Sequence, residues 1–321
     1  MLNISLGSVS IPFNEIVGGL FGNDLSKESW EHILYNYRIP KSFTAIIAGS
    51  GLSLVGLLMQ TLFRNPMAGP SVLGITSGAS LGVAILVMGS SFLGSFALGN
   101  FNLNVGLLIA ATLGSFLVLL IILFLSYTIK NTLSILIIGL MLGALTSSVV
   151  SILAYFSKAE ELQQYMFWGF GSLGHLSKSE LAILSLIVIL GVLSTLPILK
   201  SLNSLLLGEN YAQNIGVNIK YLKNYILIIT GVITGIITAF VGPIAFIGLA
   251  VPHIARLLLN TSNHKILVPS VVLLGAIVLL VCDSIAQLPM SEKVIPINAV
   301  TSLFGAPLVI WLLIRKKTYQ F

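Results

Sequence analysis

Few side chains in this sequence are of a type that could do chemistry, and those few do not converge. The four histidines, His32, His175, His253 and His264, are scattered over different segments. A metal site needs several ligands in one place, so no metal is expected. The single cysteine, Cys282, sits in an apolar run; this excludes an internal disulfide framework and a cysteine-only metal centre. No G-x-x-x-x-G-K-[ST] loop occurs, so ATP-driven work would fall to a separate chain. A nucleophile elbow and a His-Glu-x-x-His pair are also missing, which leaves an intramembrane hydrolase with little support. Asp283 stands alone in an apolar run, where an unpartnered charge costs several kcal/mol. It is either functional or a structural hydrogen-bonding group, and its closeness to Gln287 and the chain's outer surface favours the second.

The most informative stretch reads FVGPIAFIGLAVPHIAR, residues 240–256. Gly242, Pro243, Gly248 and Pro252 interrupt apolar sequence, with His253 and Arg256 following. Broken backbone at membrane depth is tolerated only inside protein or beside a water-filled cavity. These six residues are therefore the sequence's pointer to a translocation path.

The elements around it must be membrane helices. Of the 321 residues 56% are hydrophobic and only 8% charged, against roughly 25% charged in a soluble domain. The mean hydropathy is +1.03. The apolar runs are continuous rather than alternating, which selects helices over a barrel. The reading is one all-α polytopic domain over 1–321 with nine visible spans: 43–63, 71–90, 103–125, 133–156, 181–199, 225–240, 242–259, 266–285 and 297–314. The first two flank an elbow, RNPMAGP, in which Pro66 and Pro70 turn the chain back. Gly74, Gly78 and Gly82 recur every fourth residue and form a groove along one helix face, as Ala45, Gly49 and Ser53 do on the preceding run. Gly139/Gly143 and Gly231/Gly235 add two further close-packing pairs.

Basic residues set the orientation. With the tail Arg315-Lys316-Lys317 in the cytoplasm, that side also holds Arg64, Lys130, Lys200, Lys220, Lys223, Arg256 and Lys265, with Glu209 as its acid. The outer side holds Lys27, Arg38, Lys41, Lys158, Lys178 and Lys293 beside most of the acids. This asymmetry accounts for the net charge of +6 without any nucleic-acid partner. An odd number of spans puts residues 1–41 outside, and one further helix is expected upstream of Met1. The polar segment 200–224 lies on the cytoplasmic face and reads as two short helices, a docking surface or a simple interfacial loop.

Taken together, RIPKSFTAIIAGSGLSLVGLLMQTLFRNPMAGPSVLGITSGASLG, FWGFGSLGHLS, LLLGENYAQNIGVNI, GPIAFIGLAVPHIARLLL and FGAPLVIWLL, in that order, resemble the FecCD-type permeases. These are the membrane subunits of ABC importers for iron–siderophore complexes, haem and cobalamin. The resemblance covers nearly the whole chain. It implies a type II ABC importer permease fold of ten helices, of which the first is absent here. It also implies a homodimer or paired permease, two cytoplasmic ABC ATPase subunits that bind the ATP, and an extracytoplasmic solute-binding protein. No cofactor of the permease itself is implied. Leu207, Gly208, Glu209, Ala212 and Gly216 fall at the family's ATPase-docking positions. Arg38 and Lys41 match its outer docking motif, with Lys in place of a second Arg.

Three departures stand out. Gln287 replaces a frequent Arg, VIPIN carries Val294 and Asn298 in place of Glu and Gly, and Ala245 replaces a glycine. The first weakens the charge docking, for which Lys293 or Lys41 could compensate. The expected function is import of an iron–siderophore or related chelate across the bacterial cytoplasmic membrane, without enzymatic activity in this chain. The competing classes are an ATP-independent transporter or channel and a non-transporting scaffold.

Overall fold

The computed structural model describes residues 2–5, 7, 9, 11–21, 25–89, 103–129, 131–287 and 294–314. All regular elements among them are helical. Six helices are long and apolar enough to cross a membrane: Glu28–Phe63, Asn104–Thr128, Thr132–Phe156, Lys178–Leu206, Ile219–Val241 and His264–Ala286. Three shorter apolar helices, Ile75–Met88, Ile247–Leu259 and Ile297–Trp311, fall on the remaining predicted spans. Ser90, Lys130, Lys293 and the basic tail 315–317 lie outside the described residues.

The chain opens with three short helices, α1 (Leu2–Ser5), α2 (Phe13–Leu20) and α3 (Glu28–Ile33). Ser26 donates to the Glu15 carboxylate through both its hydroxyl and its backbone N–H, which holds that carboxyl below its usual range. From α3 the backbone continues through a wider π-turn, Leu34–Arg38, into α4 (Ile39–Phe63). Pro40 explains the turn: it cannot donate an N–H, and its ring crowds the preceding turn, so the helix widens there. The first span therefore begins before residue 43, and the described residues ahead of it are more helical than their composition indicated.

α4 is the axis of the molecule, with 83% of its apolar window buried. Its glycines let neighbouring backbones touch it. A Cβ at Gly49 would collide with the carbonyl of Gly275 on α14 (His264–Ala286), and one at Gly56 with Gly248 on α13 (Ile247–Leu259). Beside these contacts Ser53 Oγ donates to Val271 O at 2.6 Å and Ser50 Oγ to Val272 O at 2.9 Å. Lipid tails are as apolar as leucine, so such backbone approach and interhelical hydrogen bonding replace the hydrophobic drive of a soluble core.

The elbow after α4 closes with Arg64 in the left-handed region, φ 48°. The next run is not one helix. A 3-10 turn, Pro70–Leu73, gives way at Gly74 (φ 74°) to α5, Ile75–Met88. Gly74 abuts the carbonyl of Gly139 on α7 (Thr132–Phe156), and Gly78 and Gly82 face Gly114 and Ala110 on α6 (Leu103–Thr128). The predicted groove is thus used, with the break at Gly74 re-aiming it. Short helix α8 (Ala159–Gly169) precedes α9 (Lys178–Thr195), which runs through a 3-10 turn into α10 (Leu199–Leu206). Then come α11 (Glu209–Asn214), α12 (Ile219–Val241), α13, α14 and α15 (Ile297–Ile314). Gly231 and Gly235 of α12 receive Leu119 and Ser115 of α6.

Gly56→Ala should lower the unfolding temperature in detergent, because its methyl has no room against backbone; overpacking of this kind costs about 1–3 kcal/mol. Gly169→Ala, where nothing lies within 4 Å, should leave it unchanged. Equal behaviour of the two variants would refute the close approach of α4 and α13.

Candidate functional site

Three polar regions break the apolar bundle. The first is at the N-terminal end of α4. Arg38 is only 8% exposed. Its guanidinium donates to the carbonyls of Ile4 at 2.8 Å and Ser5 at 3.1 Å, and also to that of Val9. Asp283 is 1% exposed and fully engaged. It pairs with Lys41 at 3.0 Å, and accepts from Asn3 Nδ2 at 2.9 Å and from Gln287 Nε2 at 2.7 Å. Ser42 Oγ donates back to Asn3 Oδ1 at 2.6 Å. Asp283 therefore has the structural role its position suggested. Arg38 and Lys41 hold the segment 2–9 and α14 rather than standing free, and Gln287 completes the carboxylate's shell. Asn3 had no signal in the sequence except that a buried carboxylate must find partners.

The second region is the break before α13. Residues 242–246 leave the helix, with Gly242 at φ 81° and Phe246 at φ 66°. Only glycine fits at 242, since a Cβ would lie 2.8 Å from both Gly171 Cα and the carbonyl of Trp168. Ser172 N donates to Val241 O at 2.7 Å, and Ala245 N to Asn298 Oδ1 at 3.1 Å. The break is thus stitched to the loop after α8 and to α15. Beside it lies a cavity of about 170 Å³ lined by Leu52, Pro70, Thr76, Thr234 and Thr238. Gly248 and Pro252 are buried, and Gly248 packs on α4. His253 Nε2 donates to Pro66 O at 2.8 Å, which fixes its tautomer. Arg256 Nη1 donates to Gln60 Oε1 at 2.5 Å, and Gln60 Nε2 to Leu249 O at 3.1 Å. Arg256, counted by charge among the cytoplasmic-side cations, is buried and clamps α4. Among the described residues no three His, Cys, Asp or Glu side chains converge to hold a metal.

The third region is at the opposite end of α4, around the elbow and the segment 199–216. A cleft of about 840 Å³ opens between the elbow, the start of α7 and α11, lined by Arg64, Pro66, Thr132, Leu207, Glu209 and Tyr211. α10 is anchored: Leu202 and Leu205 are buried, and Asn203 Oδ1 accepts from both the backbone N and Nδ1 of His264 at 2.8 Å. His264 Nε2 reaches Thr61 Oγ1 of α4 at 2.8 Å. Gly208 then turns the chain at φ 117°, and Gly216 closes α11 at φ 92°. Ala212 is buried, whereas Leu207, Tyr211 and Ile215 are exposed. Glu209 Oε1 accepts from Thr132 Oγ1 at 2.5 Å. Nearby, Lys223 Nζ donates to the carbonyls of Ser126 and Ile129, capping the end of α6.

The model of the FecCD transport family matches residues 1–315. This chain belongs to the FecCD transport family. Within it, the hemin transport system permease protein HmuU of Yersinia pestis is 33% identical over 314 residues, covering 98% of this chain and 91% of that protein. The vitamin B12 import system permease protein BtuC of Salmonella paratyphi A is 34% identical over 287 residues, covering 89% and 84%. Among solved structures, an ABC transporter of the metal-chelate type in an inward-facing conformation superposes with a TM-score of 0.83 at 29% identity, over 98% of this chain and 95% of that one. The family is one of transport permeases, and this member is a multi-pass membrane protein.

Asp283→Ala should destabilise the protein by about 3 kcal/mol, because it strands the Lys41 charge and takes an acceptor from Gln287 and Asn3 together. It should also expose residues 2–9 to protease. Lys41→Met should do less, since Lys41 keeps a side chain 20% exposed. Thermal unfolding with limited proteolysis reads both, and an intact, protease-resistant N-terminal segment in Asp283→Ala would contradict the network.

Proposed function

We propose that this chain is the membrane-spanning permease of an ATP-driven importer that carries a metal chelate inward across the cytoplasmic membrane of a bacterium. The observation that carries this reading is the cytoplasmic cleft. Two short helices at a membrane face leave Leu207, Tyr211 and Ile215 exposed around it. Apolar side chains presented together toward water mark an interaction surface. The partner that fits is a nucleotide-hydrolysing subunit, because the chain has no phosphate-binding loop of its own. Leu207, Gly208, Glu209, Ala212 and Gly216 form the docking set, with two ATPases serving two paired permeases.

The cargo class follows from the relatives named for hemin and vitamin B12, both metal chelates; an iron–siderophore is the third member of that class. We read the three shorter helices as completing nine crossings of a ten-helix permease. α7 is the best candidate to face the path between paired permeases. Only 17% of its apolar window is buried, the least of the six long helices. Its exposed residues include Ala144, Ser147, Ser148 and Ser151. The break at Gly242 and Pro243 is tied to the outer end of the same path through the loop after α8. On the outer face we place the binding-protein dock at Lys41, whose side chain stays 20% exposed beside its ion pair with Asp283.

Gly208→Val forces a side chain into a backbone region that favours glycine, and Ala212→Trp overfills a buried site. In proteoliposomes holding the permease and its ATPase, each should cut ATP-driven chelate uptake by about tenfold or more, the equivalent of ~1.4 kcal/mol of lost coupling. Uphill uptake by the permease without any ATPase would overturn the function.

A further inference from the structure

The docking reading leaves open how a push on α11 reaches the transmembrane helices. We infer that the hydrogen bond between Glu209 and Thr132 is the strut that carries it into α7, with Gly208 as the pivot. The inference rests on the reading above.

α10 and α11 are neighbours in the chain but differ in attachment. α10 is fixed to the core through Leu202, Leu205 and the Asn203–His264–Thr61 chain, which ends on α4. α11 has one buried residue, Ala212. Glycines with positive φ, Gly208 and Gly216, stand at its two ends. Among the described residues, the side-chain hydrogen bond that ties α11 to the bundle is the one from Thr132 to Glu209. A load on the exposed face of α11 would therefore turn it about Gly208, while α10 stays with α4.

Thr132 is well placed to receive that load. It is the first residue of α7 and is 7% exposed. The preceding Asn131 caps the helix by accepting from Leu133 N at 2.9 Å. The Glu209 carboxylate thus sits at the positive end of a 25-residue helix, where a negative charge is favoured. A charge-assisted bond at 2.5 Å is stronger than a neutral one and fixes direction as well as distance. α7 itself is the long helix with the least of its surface held by the bundle. Beyond it, α8 leads to Ser172, which bonds the carbonyl of Val241 at the break. Glu209 and Thr132 are positioning residues in this scheme, since neither touches cargo.

The test uses the permease–ATPase complex in nanodiscs, with a nitroxide at exposed Gln213 on α11 or at exposed Ser151 on α7. In the parent, both labels should respond to ATP binding. In Thr132→Val the Gln213 response should persist while the Ser151 response is lost, and uptake per ATP hydrolysed should fall about tenfold, as expected for a lost charge-assisted bond. Thr132→Ser, which restores the hydroxyl, should recover both. Should Thr132→Val fail to fold, Thr132→Ala removes the same hydroxyl without adding a methyl and should give the same split. A Ser151 label that still follows ATP in Thr132→Val or Thr132→Ala overturns the strut. A Gln213 label silent in the parent removes the docking reading itself, and the strut with it.

Discussion

The backbone of α4 is approached from two sides at a distance that leaves no room for a side chain, and the other helices are arranged to permit it. Gly49 meets Gly275, and Gly56 meets Gly248. Each contact is glycine on glycine, so neither helix keeps a Cβ where they touch. Polar side chains of α4 follow the same surface: Ser50 and Ser53 donate to carbonyls of α14, and Gln60 to a carbonyl near the start of α13. In lipid, dispersion over such flush surfaces, together with a few interhelical hydrogen bonds, must supply what water supplies to a soluble core. Because both depend steeply on distance, the α4–α13–α14 unit is specified tightly.

That rigidity is not spread evenly. Where α4 has 83% of its apolar window buried, α6, α7 and α9 have between 17% and 28% in theirs. The outer helices carry leucine, isoleucine and phenylalanine toward lipid and touch the core along narrow strips of small residues. Charges reinforce the division. Arg256 clamps Gln60, Lys223 caps α6, and Asp283 gathers Lys41 and Asn3; Arg256 and Asp283 lie in the last turns of their helices and Lys223 in the first turns of α12. Near a helix end a long cationic side chain can reach orphan carbonyls, which lowers the cost of keeping it away from water. The molecule thus has a stitched core and a perimeter held mainly by shape.

Much of this was legible in the sequence where the signal is local. Glycines every fourth residue marked the contact between α5 and α6, and the Pro and Gly residues of 240–256 marked the break. Gly208 and Gly216 marked the ends of two short helices, whereas Ala212 was singled out only by the family resemblance. Signals that need a distant partner were illegible. Nothing near Asn3 says that it will meet Asp283, 280 positions away. The charge of Arg38 and Arg256 assigns each a side of the membrane but does not say that both are buried among carbonyls and an amide. The run 71–90 looked continuous because hydropathy does not sense the left-handed backbone that Gly74 supplies. The first span was placed from residue 43, but a π-turn lets the helix run on through Pro40 from further upstream. In these cases composition gave the right neighbourhood, and hydrogen-bond geometry set the outcome.

A permease that takes its energy from another subunit faces a mechanical conflict. A stiff body transmits force but does not open, and a soft one opens but dissipates the push. The arrangement here separates the two demands within about a dozen residues. α10 belongs to the stiff body through Asn203 and His264, whereas α11, between two glycines, is attached through buried Ala212 and, among the described residues, through the side-chain bond of Glu209 to Thr132. A directional bond to the first residue of α7 moves a whole helix with little bending, because the backbone hydrogen bonds of that helix run along its axis. Force entering at α11 would then favour sliding of the loosely held helix past the α4 core over distortion of the core. The glycine contacts that make the core stiff are therefore also what would make the perimeter's motion directional.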